Sequence, residues 1–218
     1  MRSRVPEILL IGASGLAREV LSLLRAQADP RQVVFIDDQP DLWGTSIDGV
    51  LIAGGLPEVA KHPTAQIVLC VGRGAGRAAL VDRLTGLGVA KERYARVIHR
   101  SVEIPDSCRI GTGSIVLAGV VLTADVQIGD HVVVMPHVTL THGNRIDSFA
   151  TLCAGVTLGG DVHIGSGAYL GMQAGVRERV TVGVGATIGM AAAVLGDVPP
   201  HDTWIGVPAR SHLIGSRI

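Results

Sequence analysis

The dominant pattern in the chain is an aliphatic residue at every sixth position. It runs through Ile98, Ile104, Ile110, Val116, Leu122, Ile128, Val134, Leu140, Ile146, Leu152, Leu158, Ile164, Leu170, Val176, Val182, Ile188 and Val194, without one insertion. Glycine follows at Gly111, Gly129, Gly159, Gly165, Gly171, Gly183 and Gly189, and small or β-branched residues mostly sit two positions before, as at Ala150, Val156, Val162, Ala168, Ala174, Ala186 and Ala192. A fixed short period with one apolar residue and one turn-permissive glycine predicts a parallel β-helix of hexapeptides. A single unit cannot bury its aliphatic side chain, so units must stack into a prism around a column of Ile, Leu and Val. An α-helix repeats its apolar positions at three, four and seven, which a period of six does not satisfy. Eighteen residues make one coil, so residues eighteen apart stack and residues six apart lie on different faces.

Ahead of the repeat the pattern changes. Ile8-Leu9-Leu10-Ile11 and Val33-Val34-Phe35-Ile36 are short continuous apolar runs, expected as buried parallel strands. Between them lie Gly12-Ala13-Ser14-Gly15-Leu16-Ala17 and a segment, residues 18–24, with helical spacing. The second run closes on Asp37-Asp38. Strand, glycine turn, helix, strand and acid is the plan of a mononucleotide-binding βαβ unit, in which glycines let the backbone approach a phosphate and the acid accepts from ribose. The loop reads G-x-x-G-x-A, so a dinucleotide fingerprint is not met. A turn that merely joins strand to helix is the competing reading. Ile67-Val68-Leu69-Cys70-Val71 is expected as a third strand ending at Gly72, followed by a helix over residues 75–87 with Arg77 and Arg83 on its surface and Gly86 and Gly88 as stop signals. Strand ends at Gly12, Asp37 and Gly72 would share one edge of a small parallel sheet, where ligands collect. The division expected is a βαβ domain over residues 1–95 and a β-helix with a C-terminal cap over residues 96–218.

Composition sharpens this picture. Lys plus Arg and Asp plus Glu number 19 each, which gives no electrostatic footprint for nucleic acid or an acidic membrane. Glycine is 29 of 218 residues, above the usual ~7%. Aromatics are 3%, so the core must be aliphatic. Mean hydropathy is +0.41, and residues 180–196 carry no charge at all. Yet that stretch contains Gly183, Gly185 and Gly189 and keeps the six-residue phase, so β-helix rather than a membrane span is expected. Met1-Arg2-Ser3-Arg4 leads into an apolar run too short for a secretory signal. Cys70, Cys108 and Cys153 are odd in number and widely spaced, as free thiols of a cytoplasmic protein would be.

Prism geometry also constrains the histidines. His131 and His137 fall at equivalent positions on adjacent faces and cannot reach one atom within a chain, and His142 lies on the third face. Beyond Val194, Asp197-Val198-Pro199-Pro200 is expected to stop strand pairing and cover the open end of the prism.

Taken together, Ile11-Gly12-Ala13-Ser14-Gly15, Phe35-Ile36-Asp37-Asp38, the hexapeptides and Gly206-Val207-Pro208-Ala209-Arg210 resemble the sugar O- and N-acyltransferases of bacterial glycan pathways. The resemblance spans essentially the whole chain. It implies a homotrimer of left-handed β-helices, with acetyl-CoA in the groove between neighbouring prisms and a nucleotide-linked sugar by the N-terminal domain. It also implies that His142, in Leu140-Thr141-His142, is the general base for attack of the sugar amine on the thioester, a task suited to a group titrating near neutrality. Carried over by motif, Ser14, Gly15, Leu16, Asp37, Asp38 and Gly72 would meet the nucleotide-sugar. Thr151, Met172 and Met190 would meet acetyl-CoA. Two positions depart from the family pattern. Gly143 stands where an acid commonly follows the histidine, leaving Asn144 or Asp147 as substitutes, and Leu16 stands where the phosphate-side loop often carries histidine.

Other readings remain open at this point. His137 and His142 are five apart, as in the trimeric γ-class carbonic anhydrases, but the third zinc ligand expected there falls on Ser101. Gly143 keeps alive a trimeric binding or scaffold protein that lost catalysis. Within the transferases, O-acetylation of a sialic acid type sugar competes with N-acetylation. An amine depends less on a strongly activated base, which favours N-transfer, and no metal is called for.

Overall fold

The computed structural model describes residues 7–212, and the chain divides into two compact units between Val97 and Ile98. The segment Met1-Arg2-Ser3-Arg4, judged above for a signal, lies outside the described residues.

In the first unit the apolar runs become strands β1 (Glu7–Ile11), β2 (Gln32–Ile36) and β5 (Gln66–Leu69), with helices α1 (Gly15–Ala26) and α2 (Gly74–Gly86). Two further strands, β3 (Ser46–Ile47) and β4 (Val50–Gly54), extend the sheet, whose order is β3-β4-β2-β1-β5. The sheet is mixed rather than wholly parallel: β1 pairs in parallel with β2 and β5, β4 in parallel with β2, and β3 antiparallel with β4. The β3–β4 hairpin turns on Asp48-Gly49, at φ +49 and +77. Those are the positive dihedrals that a two-residue hairpin turn needs and that Asp-Gly supplies at low cost. β1 is buried almost end to end, since strands flank it on both sides, which is why its apolar run is continuous rather than alternating.

In the second unit two-residue strands recur every six residues from Arg109–Ile110 to Ala193–Val194, and each strand up to Gly175–Val176 pairs in parallel with the strand eighteen residues on. Thr139–Leu140, for example, lies between Val121–Leu122 and Thr157–Leu158. The result is three sheets, one per prism face. The aliphatic column and the residue two positions before it fill the interior together, so the core holds Leu140, Leu158 and Val176 beside Val138, Val156 and Ala174. Ile104 breaks the series: it is 42% exposed, precedes Pro105 and forms no strand.

The periodic glycines turn out to have a different role from the one expected. Gly165 is not at a positive dihedral; a β-carbon there would sit 2.6 Å from the backbone nitrogen of Val184 in the next coil. Glycine in this phase therefore permits close stacking. The left-handed turn falls two residues later in the unit. It is occupied by Gly119, Asp125, His131, His137, Gly143, Phe149, Gly155 and Asp161 in succession, all at φ between +54 and +72.

The two prolines do not end the pairing. Val198 bridges Val182, and Thr203–Ile205 continues in parallel on Thr187–Ile188, sixteen residues on instead of eighteen. The last coil is thus two residues short, then folds back through antiparallel Arg210–Ser211. Ala209 and Trp204 close the apolar interior. Among the described residues no helix is long and apolar enough to cross a membrane.

Candidate functional site

In the first unit, the chain leaves β1 toward β2 on one side and reaches β5 on the other. The carboxyl ends of β1 and β5 therefore flank a topological switch point, where open α/β sheets bind ligands. The predicted loop residues are brought together there. Ser14 Oγ donates to the carbonyl of Cys70 at 2.7 Å. Asp37 Oδ2 accepts from the amide of Ala13 at 2.7 Å and its Oδ1 from Gln39 at 2.9 Å. Gly12, at φ +100, lies so near the Cys70 carbonyl that a β-carbon would approach it to 3.1 Å. Gly15 and Gly72, by contrast, have open space where a β-carbon would be. These loops are drawn tight at their base and open at their rim.

Two of the nucleotide-side expectations, Leu16 and Asp38, change character, and so does the surface position expected for Arg77. Leu16 is buried in the domain, so only its backbone can face a ligand. Asp38 is engaged within the fold: Oδ2 accepts from Arg83 Nη1 at 2.6 Å and Oδ1 from the Leu56 amide at 3.0 Å. The Arg83 hydrogen bond, helped by that amide against the opposing effect of burial, holds this carboxyl below the usual range. Arg77, expected on the surface, is 1% exposed. Its Nη1 donates to the carbonyls of Val71 at 2.8 Å and Gly72 at 2.9 Å, which fixes the loop from beneath. Burial lowers this guanidinium to about 10.

In the second unit, His142 sits at the corner between the Thr139–Leu140 and Arg145–Ile146 strands. Its side chain is 67% exposed, and its Nδ1 lies 4.0 Å from Oδ1 of Asp161 in the next coil. Neither expected supporter serves it. Asn144 occupies an inward position, is fully buried, and donates from Nδ2 to the Gly159 carbonyl at 2.7 Å. Asp147 lies at the far end of the adjacent face, where Arg145 Nε donates to it at 3.0 Å and His163 Nε2 pairs with it at 2.8 Å. Burial works to raise the Asp147 carboxyl, but hydrogen bonds from His163 and Arg145 together bring it below its ordinary value.

Met172 and Met190 stack one coil apart and are strongly exposed, at 50% and 66%. They line the corner after the Tyr169–Leu170 and Thr187–Ile188 strands, a different corner from that of His142. Thr151 is buried on the face between Val133 and Tyr169. A single chain therefore does not bring the three cofactor-side residues to His142. His131 and His137 are corner residues whose rings lie over Gly113 and Gly119, and His131 also stacks on Phe149 with centroids 5.4 Å apart. Among the described residues no group of three or more His, Cys, Asp or Glu side chains converges as metal ligands would. All three cysteines are free and buried.

The comparisons find acetyltransferases of the same build, an N-terminal α/β unit followed by a hexapeptide prism. Residues 7–84 match the PglD N-terminal domain model, and residues 107–142 match the bacterial transferase hexapeptide model of six repeats. The acetyltransferase domain of PglB from Neisseria gonorrhoeae FA1090 is 29% identical at a TM-score of 0.86, over 94% of this chain and 99% of that one. PerB from Caulobacter crescentus, solved with CoA and GDP-perosamine, is 28% identical at 0.86, over 96% and 98%. WeeI from Acinetobacter baumannii AYE is 27% identical at 0.84, over 94% and 99%. No curated protein matches. Along nearly its whole length the chain is similar to the PglD-type hexapeptide-repeat sugar N-acetyltransferases.

Proposed function

We propose that this protein transfers the acetyl group of acetyl-CoA to the amino group of a nucleotide-linked amino-dideoxy sugar, with His142 as general base. The observation that carries the reading is the exposed imidazole of His142, presented at a prism corner in a chain that matches PerB, a protein solved with CoA and GDP-perosamine, from end to end. The nucleotide would bind at the switch point, beside Ser14 and the uncrowded α-carbons of Gly15 and Gly72, with Asp37 tying the first loop to the second. The amine nitrogen attacks the thioester carbonyl and loses a proton to His142. The C–S bond then breaks, and the proton passes from the imidazolium to the departing thiolate. Loss of the proton during attack is what a base adds here, typically a factor of ~10²–10⁴.

Acetyl-CoA would lie along the column of Met172 and Met190. Since that column and His142 occupy different corners of one prism, we assign the complete site to a homotrimer, in which one copy offers its methionine column beside the His142 corner of its neighbour. The closed cyclic symmetry of such assemblies repeats this contact three times. Three free thiols fit a cytoplasmic reaction.

The test is to titrate the protein with acetyl-CoA and then assay transfer to a panel of nucleotide-linked amino sugars, for wild type and His142→Ala. The expected result is acetyl-CoA binding, one acetylated 4-amino sugar nucleotide, and a variant slower by ~10²–10⁴-fold that keeps its oligomeric state. Full turnover by His142→Ala would overturn the assignment of the base, and no binding of acetyl-CoA would overturn the reaction.

A further inference from the structure

We propose that Asp161, reaching across from the next coil, is the positioning carboxylate of His142. The inference rests on the reading of His142 as base. Positions 143 and 161 are one coil apart, and both hold the left-handed turn, at φ +69 and +57. The coils are joined at this point by the Asp161 amide, which donates to the His142 carbonyl at 2.9 Å. From there the Asp161 carboxylate leans over Gly143. A β-carbon on residue 143 would collide with Oδ1 and come within 3.2 Å of Cγ. The carboxylate thus fills the space that a side chain at position 143 would take, and an acid missing from the sequence neighbour of the histidine is present in space.

The alternatives are committed elsewhere. Asn144 is turned into the prism, and Asp147 is held by Arg145 and His163. Asp161 Oδ1, 4.0 Å from His142 Nδ1, is beyond hydrogen-bond length. Both side chains are more than half exposed, so a small rotation closes the gap, and catalytic hydrogen bonds commonly tighten only in the substrate complex. A carboxylate at Nδ1 keeps the proton on that nitrogen, leaves Nε2 free to accept from the amine, and stabilises the imidazolium that forms. Asp161 itself neither gains nor loses a proton during the step.

The experiment uses the full chain with both substrates and compares Asp161→Asn, Asp161→Ala and the double variant Gly143→Asp/Asp161→Ala. Asparagine tolerates the left-handed turn, so the first variant keeps the corner. Expected are a kcat lower by ~10–100-fold in Asp161→Asn, the usual scale for losing such a partner, with both KM values and the melting temperature little changed. The double variant should regain activity over Asp161→Ala, because the relocated carboxylate enters the space that Asp161 vacated; a purely structural role predicts no regain. Unchanged kcat in Asp161→Asn, or a double variant no faster than Asp161→Ala, overturns the proposal. If His142→Ala is slow while Asp161→Asn is normal, only this inference fails. If His142→Ala is fully active, the base assignment fails first.

Discussion

The ring of His142 lies on the bare Cα of Gly160, one coil above it: a β-carbon there would stand 2.5 Å from Nε2 and 3.1 Å from Nδ1. The His142 corner is therefore shaped by glycine twice, at 143 to admit a carboxylate and at 160 to admit the imidazole. Gly160→Ala would displace the far end of a flexible, exposed side chain and leave the packed backbone where it is. The variant should fold with a melting temperature within a few degrees of wild type and yet lose turnover by about 10²-fold, the scale of an ångström of misplacement at a reacting group. Steady-state kinetics beside thermal unfolding checks this. A variant that melts early while keeping its kcat would count against it.

Arg77 joins the core of the first unit to the rim of its crevice. Its guanidinium is buried and holds the carbonyls of Val71 and Gly72. Hydrogen bonds from a charged donor contribute about 1.5–3 kcal/mol each, and carbonyls left buried without a donor add a penalty. Arg77→Met should therefore cost about 2–4 kcal/mol of stability and loosen the Gly72 loop. The nucleotide-sugar KM should rise while the acetyl-CoA KM stays put. Denaturant titration and the two KM values test both halves, and an equal rise in both KM values would show that Arg77 does not act on the nucleotide side.

Much of this was readable along the chain, and the misses have physical causes. The prism was legible because its aliphatic column is a strictly local signal, and the strand β1, the glycine loop and Asp37 were legible because the βαβ plan is local too. What failed within the prism depends on the neighbour eighteen residues away. Gly165 and its equivalents sit where coils touch, a reason invisible in one repeat. Asp161 meets His142 only after stacking, and Asn144 is inward because it shares the phase of Ala150 and Val156. The β3–β4 hairpin does carry a local signal, Asp48-Gly49 between Ile47 and Val50. Arg77 carried none: a long cation on a helix reads as surface until the loop it holds is in view.

Asp38 and Arg83 make the last case, because their pairing has a sign that pH can read. The hydrogen bond from Arg83, with the Leu56 amide and the arginine charge behind it, outweighs burial and lowers the Asp38 carboxyl. An unfolded chain would hold that carboxyl near its ordinary value of about 3.9. As pH falls, the unfolded state takes up the proton first. The contribution of the pair is thus complete above about pH 5 and disappears as pH drops through the lowered folded value. The pair is exposed, so its size is only about 0.5 kcal/mol. Arg83→Ala removes the main cause of the shift. It should be less stable than wild type at pH 7 by about that amount, and the gap should narrow steadily from pH 5 to pH 2 and shrink in high salt. Thermal unfolding of both proteins across that range makes the comparison. A gap that held constant from pH 7 to pH 2 would mean that Arg83 stabilises the unit by packing alone, and that Asp38 remains free to meet a ligand.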